Sequence, residues 1–188
     1  MAHLFFHYPA TLYDINKKRK PLLMTDLTKG FKIAEIVAAQ VAVYYDYNID
    51  DGDRPDTIAD QYYGDSSLDW IIMITNGMID PQWDWPLNYN VFRNYIVKKY
   101  GSVSEAYDET HHYEQIIQKH KVNPDGSVVP ELTYEIDLTT YNTLSSLDKK
   151  LITAYDYEEK LNEDKRRIKI LDEQFLPSII EQTEGLFG

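Results

Sequence analysis

Three histidines, His111, His112 and His120, lie close together in the second half of the chain, and 31 acidic residues are spread through its 188 positions. These types could do chemistry: imidazoles as metal ligands or acid–base groups, paired carboxylates as the acid and nucleophile of a glycosidase. Their spacing supports neither. HExxH spacing is absent, and His112 and His120, on one face of an extended segment, stand about 26 Å apart at the rise of a β-strand. The acidic run DYNIDDGD, started at Asp46, looks like a calcium loop, but its glycine comes one place late and Thr57 occupies the position that needs a bidentate glutamate. Carboxylates are too numerous for any one pair to be singled out. GxSxG, P-loop and GxGxxG patterns are all missing. With no cysteine in the sequence, a thiolate nucleophile, a zinc–thiolate site and a disulfide are excluded. The expectation is a chain without catalytic residues, cofactor or metal, and not an enzyme.

What the chain has instead is apolar and aromatic surface. The formal net charge of −12 argues against nucleic acid as a partner, because phosphate binding needs clustered Lys and Arg. The one compact basic cluster, Lys17 to Lys20, stops at Pro21 and reads as a solvated turn. The start, MAHLFFHYP, lacks the basic and long apolar stretches of an export signal, and Trp70 to Ile74 is too short to span a bilayer, so neither secretion nor a membrane is expected. Tyrosine supplies 16 aromatic residues, and a ring that buries itself while its hydroxyl stays wet suits an interface.

The elements that would carry this surface follow from periodicity. Ala2 to Thr28 reads as an irregular, partly extended arm bearing Phe5, Phe6, Tyr8 and Tyr13 between Pro9 and Pro21. Phe31 to Ala39 is a short helix or an extended entry. Val41, Val43, Tyr45, Tyr47 and Ile49 share one face of a strand. Asp56 is expected to cap a short helix that places Ile58, Ala59, Tyr62 and Tyr63 together and ends at Gly64. A second helix, Ser67 to Asn76, is apolar all round, with Leu68, Ile71, Ile72 and Thr75 on one face and Trp70, Met73 and Ile74 on the other, so it must be covered twice. Asn76-Gly77 ends it, a proline-bounded loop carries Trp83 and Trp85, and a third helix runs from Tyr89 to Tyr100 with Phe92, Tyr95, Ile96 and Lys99 aligned before Gly101. Thr110 to Leu138 reads as a hairpin turning at NPDG, Asn123 to Gly126. Leu144, Leu147, Leu151, Ala154 and Leu161 form a near-heptad seam, broken at Glu158, that predicts one helix from Leu144 to about Asn162. Arg166 to Leu171 is a short strand, and Pro177 opens a last helix with Ile179 and Ile180. The fold class is α+β.

The segment DTIADQYYGDSSLDWIIMITNGMIDP resembles the LysM module in Asp56, Thr57, Ile58, Ala59, Tyr63, Gly64, Asn76, Asp80, Pro81 and Pro86. LysM folds are small βααβ units, many of which bind N-acetylglucosamine chains. Two departures are visible: LDWIIMI is more apolar than an ordinary second LysM helix, and Asn88 to Tyr100 reads as a helix where a closing strand is expected. Over most of its length the chain is similar to a narrower family, the LysM-containing baseplate wedge protein of contractile-tailed phages. The similarity lies in an aromatic N-terminal arm followed by Met24, Thr25 and Asp26, in RPDTIADQYYGDSSLDWIIMITN, in the DP-plus-aromatic loop, and in RRIKILDEQFLPSIIEQ at the end.

That resemblance implies a LysM-like βαα core with additional helices, a β-hairpin and an extended N-terminal arm. The expected division is 1–40 for the arm, 41–101 for the LysM-like domain and 102–188 for the hairpin plus C-terminal helical region. It implies a structural subunit of the virion tail baseplate, assembled in the host cytoplasm, that joins neighbouring wedges into a ring around the hub. Its partners would be other wedge and hub proteins and neighbouring wedge copies, with no nucleic acid and no membrane. The alternative is a LysM module binding peptidoglycan or chitin; the lost polar side of the second helix argues against it. The candidate interface residues are Trp70, Met73, Ile74, Trp83 and Trp85. The first three could equally be buried by the chain itself, and the loop pair, Trp83 and Trp85, are the better candidates.

Overall fold

The computed structural model describes residues 9–15, 17, 19–26 and 44–187, with side chains as far as Glu181. In chain order come β1 (Ala10–Tyr13), β2 (Leu22–Thr25), β3 (Tyr44–Asn48), α1 (Pro55–Tyr63), α2 (Asp69–Thr75), α3 (Tyr89–Tyr100) and α4 (Val103–Asp108). They are followed by β4 (Thr110–Gln118), β5 (Lys121–Val122), β6 (Val128–Val129), β7 (Leu132–Ile136), α5 (Leu138–Thr143), β8 (Lys149–Thr153), α6 (Ala154–Asp164), β9 (Arg167–Leu171) and α7 (Leu176–Phe187). The chain is α+β. It forms two compact units, one from the segments up to Pro86 and from Lys165 onward, the other from Leu87–Asp164. This division differs from 1–40, 41–101 and 102–188, because the partner strand of β3 is not a neighbour in sequence but β9.

In the first unit, β3 and β9 pair antiparallel from Tyr44 opposite Leu171 to Asn48 opposite Arg167. Inward-facing Ile168 and Ile170 of β9, with Leu171, meet Ile49, Ile58, Ala59, Ile71 and Ile72 in one core, to which α7 adds Leu176 and Ile179. Helix α1 begins two residues earlier than its sequence suggests. Pro55 takes the first helical position, where its missing N–H costs nothing, so Asp56 lies inside the first turn and is held by Arg54 at 3.0 and 3.1 Å rather than capping. Gly64 ends the helix in the left-handed region at φ 68, a conformation that L side chains avoid. Asp65 accepts the Ser67 N–H at 2.9 Å and starts the 3-10 turn, Ser66–Leu68, that leads into α2.

The end of α2 is tied to the sheet by one side chain. The Asn76 amide donates to the Ile72 and Lys169 carbonyls, both at 2.8 Å, and its carbonyl oxygen accepts the Lys169 N–H at 2.7 Å. It thus occupies the outer edge of β9 where a further strand would pair.

On β3, Tyr47 and Tyr44 pack on the core, but Tyr45 is exposed and its hydroxyl donates to Asp172 at 2.6 Å. Val41, Val43 and the expected element at Phe31 to Ala39 lie outside the described residues, as do Phe5, Phe6 and Tyr8. The described part of the arm is a regular hairpin: β1 and β2 pair with Leu12 opposite Leu23 and Tyr13 opposite Leu22. Lys17, Arg19 and Lys20 fall in its turn, where Asp14 accepts the Arg19 N–H at 2.6 Å.

The second unit departs furthest from its sequence reading. The expected helix from Leu144 to Asn162 is corrected to a strand followed by a helix. Residues 149–153 pair with β4, giving a three-stranded sheet of order β7-β4-β8, and only Ala154 onward is helical. β-branched Ile152 and Thr153 suit a pleated surface, and Ile152 is buried on it. In α6 the inward face is not the leucine seam: Glu158 is 7% exposed and Asn162 is buried, whereas Leu161 is 43% exposed.

Asn162 bonds both the N–H and the carbonyl of Leu87, at 2.7 and 3.0 Å. Glu158 accepts from Lys99, from Tyr100 at 3.0 Å and from Tyr95 at 3.1 Å. Burial pushes its carboxyl up, but these donors outweigh that and hold it below the ordinary carboxylate range. The hydrogen bond to Glu158 likewise holds the Lys99 ammonium above its ordinary range. The apolar part of this unit is small: Phe92, Ile96 and Ala106, with Tyr155 packed edge-on to Phe92. The hairpin at NPDG has the expected turn, with the Gly126 N–H donating to the Asn123 carbonyl at 3.0 Å.

Candidate protein interface

The sequence candidates separate sharply by burial. Trp70 is 5% exposed and Met73 is buried with it in the first unit's core, while Ile74 is half-buried against the same core. The second face of α2 is thus covered within this unit, and Trp70 and Met73 are not surface residues. Trp85, expected as an interface residue, is also corrected: it belongs to the core, and its indole N–H donates to the Asp53 carbonyl at 3.0 Å. Trp83 alone of the five stands out in water, 54% exposed.

The loop that carries Trp83 is fixed by its own carboxylates. Asp84 accepts the N–H groups of Ile79 and Asp80, both at 2.8 Å, and Asp80 accepts the Gln82 N–H at 2.9 Å. The Asp80 carbonyl receives the N–H groups of Trp83 and Asp84 at 3.1 and 2.8 Å. Lys165 donates to the Trp83 carbonyl at 2.7 Å. The Asp80 and Ile79 amides, with Lys165 nearby, hold the Asp84 carboxyl below its usual range.

With Trp85 anchored in the core at one end and Asn76-Gly77 closing α2 at the other, this frame holds Ile79 and Trp83 in solvent. Ile79, at 92% exposed, is the residue that sequence reasoning missed. The available signal was its place after Asn76-Gly77, outside the helical pattern and before Asp80-Pro81, where an isoleucine has no core to enter.

The groups that could have done chemistry are spread out. A bulge between Thr110 and His112 turns His111 and His112 to the same side, with their Nδ1 atoms 2.8 Å apart, and His111 stacks on Tyr157 at 3.8 Å. His112 faces Glu114 at 3.2 Å, and His120 lies beyond the end of β4. In the acidic loop, Asp53 accepts the Tyr47 hydroxyl and the Asp50 N–H, both at 2.9 Å, so its carboxylate serves the strand-to-loop exit. Burial, and then Asp53, push the Tyr47 hydroxyl up to about 12. Among the described residues there is no group of three His, Asp or Glu side chains arranged to hold a metal ion.

The arrangement is an α+β scaffold holding apolar side chains in water on a pinned loop. The family described as base plate wedge protein 53 matches residues 3–183, and the chain belongs to that family of phage baseplate structural proteins. It is similar to baseplate wedge protein gp53 of Enterobacteria phage T4, 25% identical over 92 residues, a match covering 47% of this chain and 45% of that protein. The matched stretch thus spans less than half the length of that curated relative.

Proposed function

We propose that this chain is a structural subunit of a phage tail baseplate wedge that joins neighbouring wedges into the ring around the tail hub through protein–protein contacts, without catalysis. Its place is then the virion baseplate, reached by assembly in the host cytoplasm. Its partners are other wedge and hub proteins and neighbouring wedge copies, not nucleic acid, membrane or metal.

Beyond family membership, the observation that carries this reading is the pinned loop with Ile79 and Trp83 in water. A tryptophan displayed on a rigid frame is what an interface hot spot requires, since little conformational entropy is lost when it docks. Mixing the chain with the wedge and hub proteins of its own phage, read by mass, should give defined complexes that Trp83→Glu abolishes without unfolding the chain. Inertness toward every one of those proteins would sink the proposal.

The first unit is further proposed to be a LysM-like module whose closing strand is supplied by β9. Strand, two helices and an antiparallel strand support it, with the whole second unit inserted before the last strand. This order is also the one observation favouring glycan binding. Against it, α2 buries residues of both faces, which leaves little polar helix surface for a sugar chain. Retention on peptidoglycan that soluble chitooligosaccharide abolishes would select the glycan reading instead.

A further inference from the structure

We infer that the β1–β2 hairpin of one copy docks, in a second copy, on the edge of β3 that faces away from β9, adding β2 antiparallel to that strand. This deepens the joining role proposed above and rests on it for its setting.

The hairpin is largely apolar and exposed. All residues of both strands are exposed, including Leu12, Tyr13, Leu22, Leu23 and Met24, with apolar side chains on both faces of a two-stranded ribbon. A ribbon of this kind is marginal in water unless something covers it. Its charge also sets it apart. Residues 9–26 stand formally at +2 in a chain of −12, leaving −14 on the remainder, and the positive charge is concentrated at Lys17 to Lys20.

The receiving edge follows from the register. The Lys169 N–H and carbonyl are both taken by Asn76, so they point away from β3, and Asp46 opposite Lys169 must turn its own backbone groups outward, as must Asn48 two residues on. No described strand pairs along that side of β3. On the hairpin, the Asp26 N–H donates to the Pro9 carbonyl at 2.8 Å, which fixes the alternation so that Leu23 and Thr25 face outward from β2.

An antiparallel β2–β3 pairing that sets Leu23 against Asn48 and Thr25 against Asp46 matches outward groups to outward groups. The same register carries the basic turn alongside Asp50 to Asp53, so backbone pairing and charge agree on one orientation. Strand addition supplies the hydrogen bonds, and the opposed charges fix the direction. The chain's own hairpin does not make this pairing, since β1 and β2 form a sheet of their own.

Sedimentation of the full chain should show concentration-dependent self-association that weakens roughly tenfold when salt shortens the screening length from about 10 Å to about 3 Å. A hairpin variant, Lys17→Glu with Arg19→Glu and Lys20→Glu, and an edge variant, Asp46→Lys with Asp50→Lys, should each be monomeric. Mixed in equal amounts they should associate again. Because the chain has no cysteine of its own, Leu23→Cys chains mixed with Asn48→Cys chains should form heterodimers on oxidation faster than with Leu147→Cys chains, whose site lies elsewhere.

A chain that is monomeric at every concentration, or charge variants that fail to complement, overturns the inference. So does a Leu23→Cys, Asn48→Cys chain that closes on itself at dilutions where mixed single variants do not cross-link, which would assign the edge to the chain's own hairpin. Trp83→Glu should leave self-association intact. Loss of self-association with Trp83→Glu but not with the hairpin variant would overturn the hairpin contact and leave the joining role standing.

Discussion

Helix α2 in the first unit buries Trp70, Ile71, Ile72 and Met73, whereas helix α6 in the second buries Ala154, Glu158 and Asn162 and leaves Leu161 exposed. The first unit is held by apolar area, and its polar ties, such as Asn76 to Lys169, lie at the margins of the core. The second has a smaller apolar core and relies on a carboxylate that satisfies three donors and an amide that pairs with a backbone segment. Area burial is non-directional and tolerant of local shifts. A satisfied polar network fixes one arrangement, because every alternative leaves a buried group without its partner.

Substitutions that break this comparison should differ in size. Ile71→Ala removes a fully buried side chain from the first core and is expected to cost about 3–4 kcal/mol. All three tryptophans lie in the first unit, so urea unfolding followed by tryptophan fluorescence reads the loss there. Glu158→Ala should cost about 2 kcal/mol, less than a fully buried pair, because the Lys99 side chain is 46% exposed and screened. Faster hydrogen exchange in α3 and α6 would register it. Gly64→Ala should cost about 1 kcal/mol through backbone strain alone, since an added methyl meets nothing within 4 Å. A loss of several kcal/mol there, in chemical denaturation, would mean that the helix end is more tightly constrained than its open surroundings indicate. Trp83→Ala should leave stability within about 0.5 kcal/mol of the parent, as expected for a side chain displayed to solvent. Thermal unfolding that falls clearly further would place Trp83 in the fold and not at a contact.

The same carboxylate gives the second unit a pH signature. Glu158 is held below its ordinary 4.5, so its contribution to stability is complete above that value and is lost as pH falls through the lower folded value. Lys99 is held above its ordinary 10.5, so its contribution is complete below that value and is lost as pH rises through the folded one. Stability measured across pH should show both limbs, and Glu158→Gln should flatten them. Limbs that persist unchanged in that variant would assign the pH dependence to other groups.

Much of the local structure was legible in the residues. Asn88 and Gly101 bound α3 as expected, Gly64 ends α1, and NPDG turns the hairpin, because caps and turns depend on side-chain chemistry a few residues away. The doubly apolar α2 announced that it would be covered twice. The misreadings arose where a local pattern competed with a distant partner. Lys149 to Thr153 carries Leu151, a position of the leucine seam, yet β4 draws it into a sheet, since unpaired strand groups on β4 gain more from a neighbour than a short seam gains from a helix. Glu158 looked like the break in a helical stripe, and became its inward residue once Lys99, Tyr95 and Tyr100 gathered around it. Among the candidate contacts, Trp83 and Trp85 are two residues apart with the same flanking prolines, and nothing in that spacing tells which enters the core.

By itself the sequence determined the class of the protein: an acidic α+β chain without cysteine, whose caps, turns and apolar stretches specify helices and strands and whose segment order matches a baseplate wedge family. Tertiary structure alone decided that β9 closes the sheet begun by β3, that Trp70 and Trp85 are core, and that Ile79 and Trp83 are surface. The physical reason is range. Capping and periodicity act over one or two turns of chain, whereas burial depends on which distant segment arrives to cover a face, and here the strand paired with Tyr44–Asn48 arrives only at Arg167–Leu171.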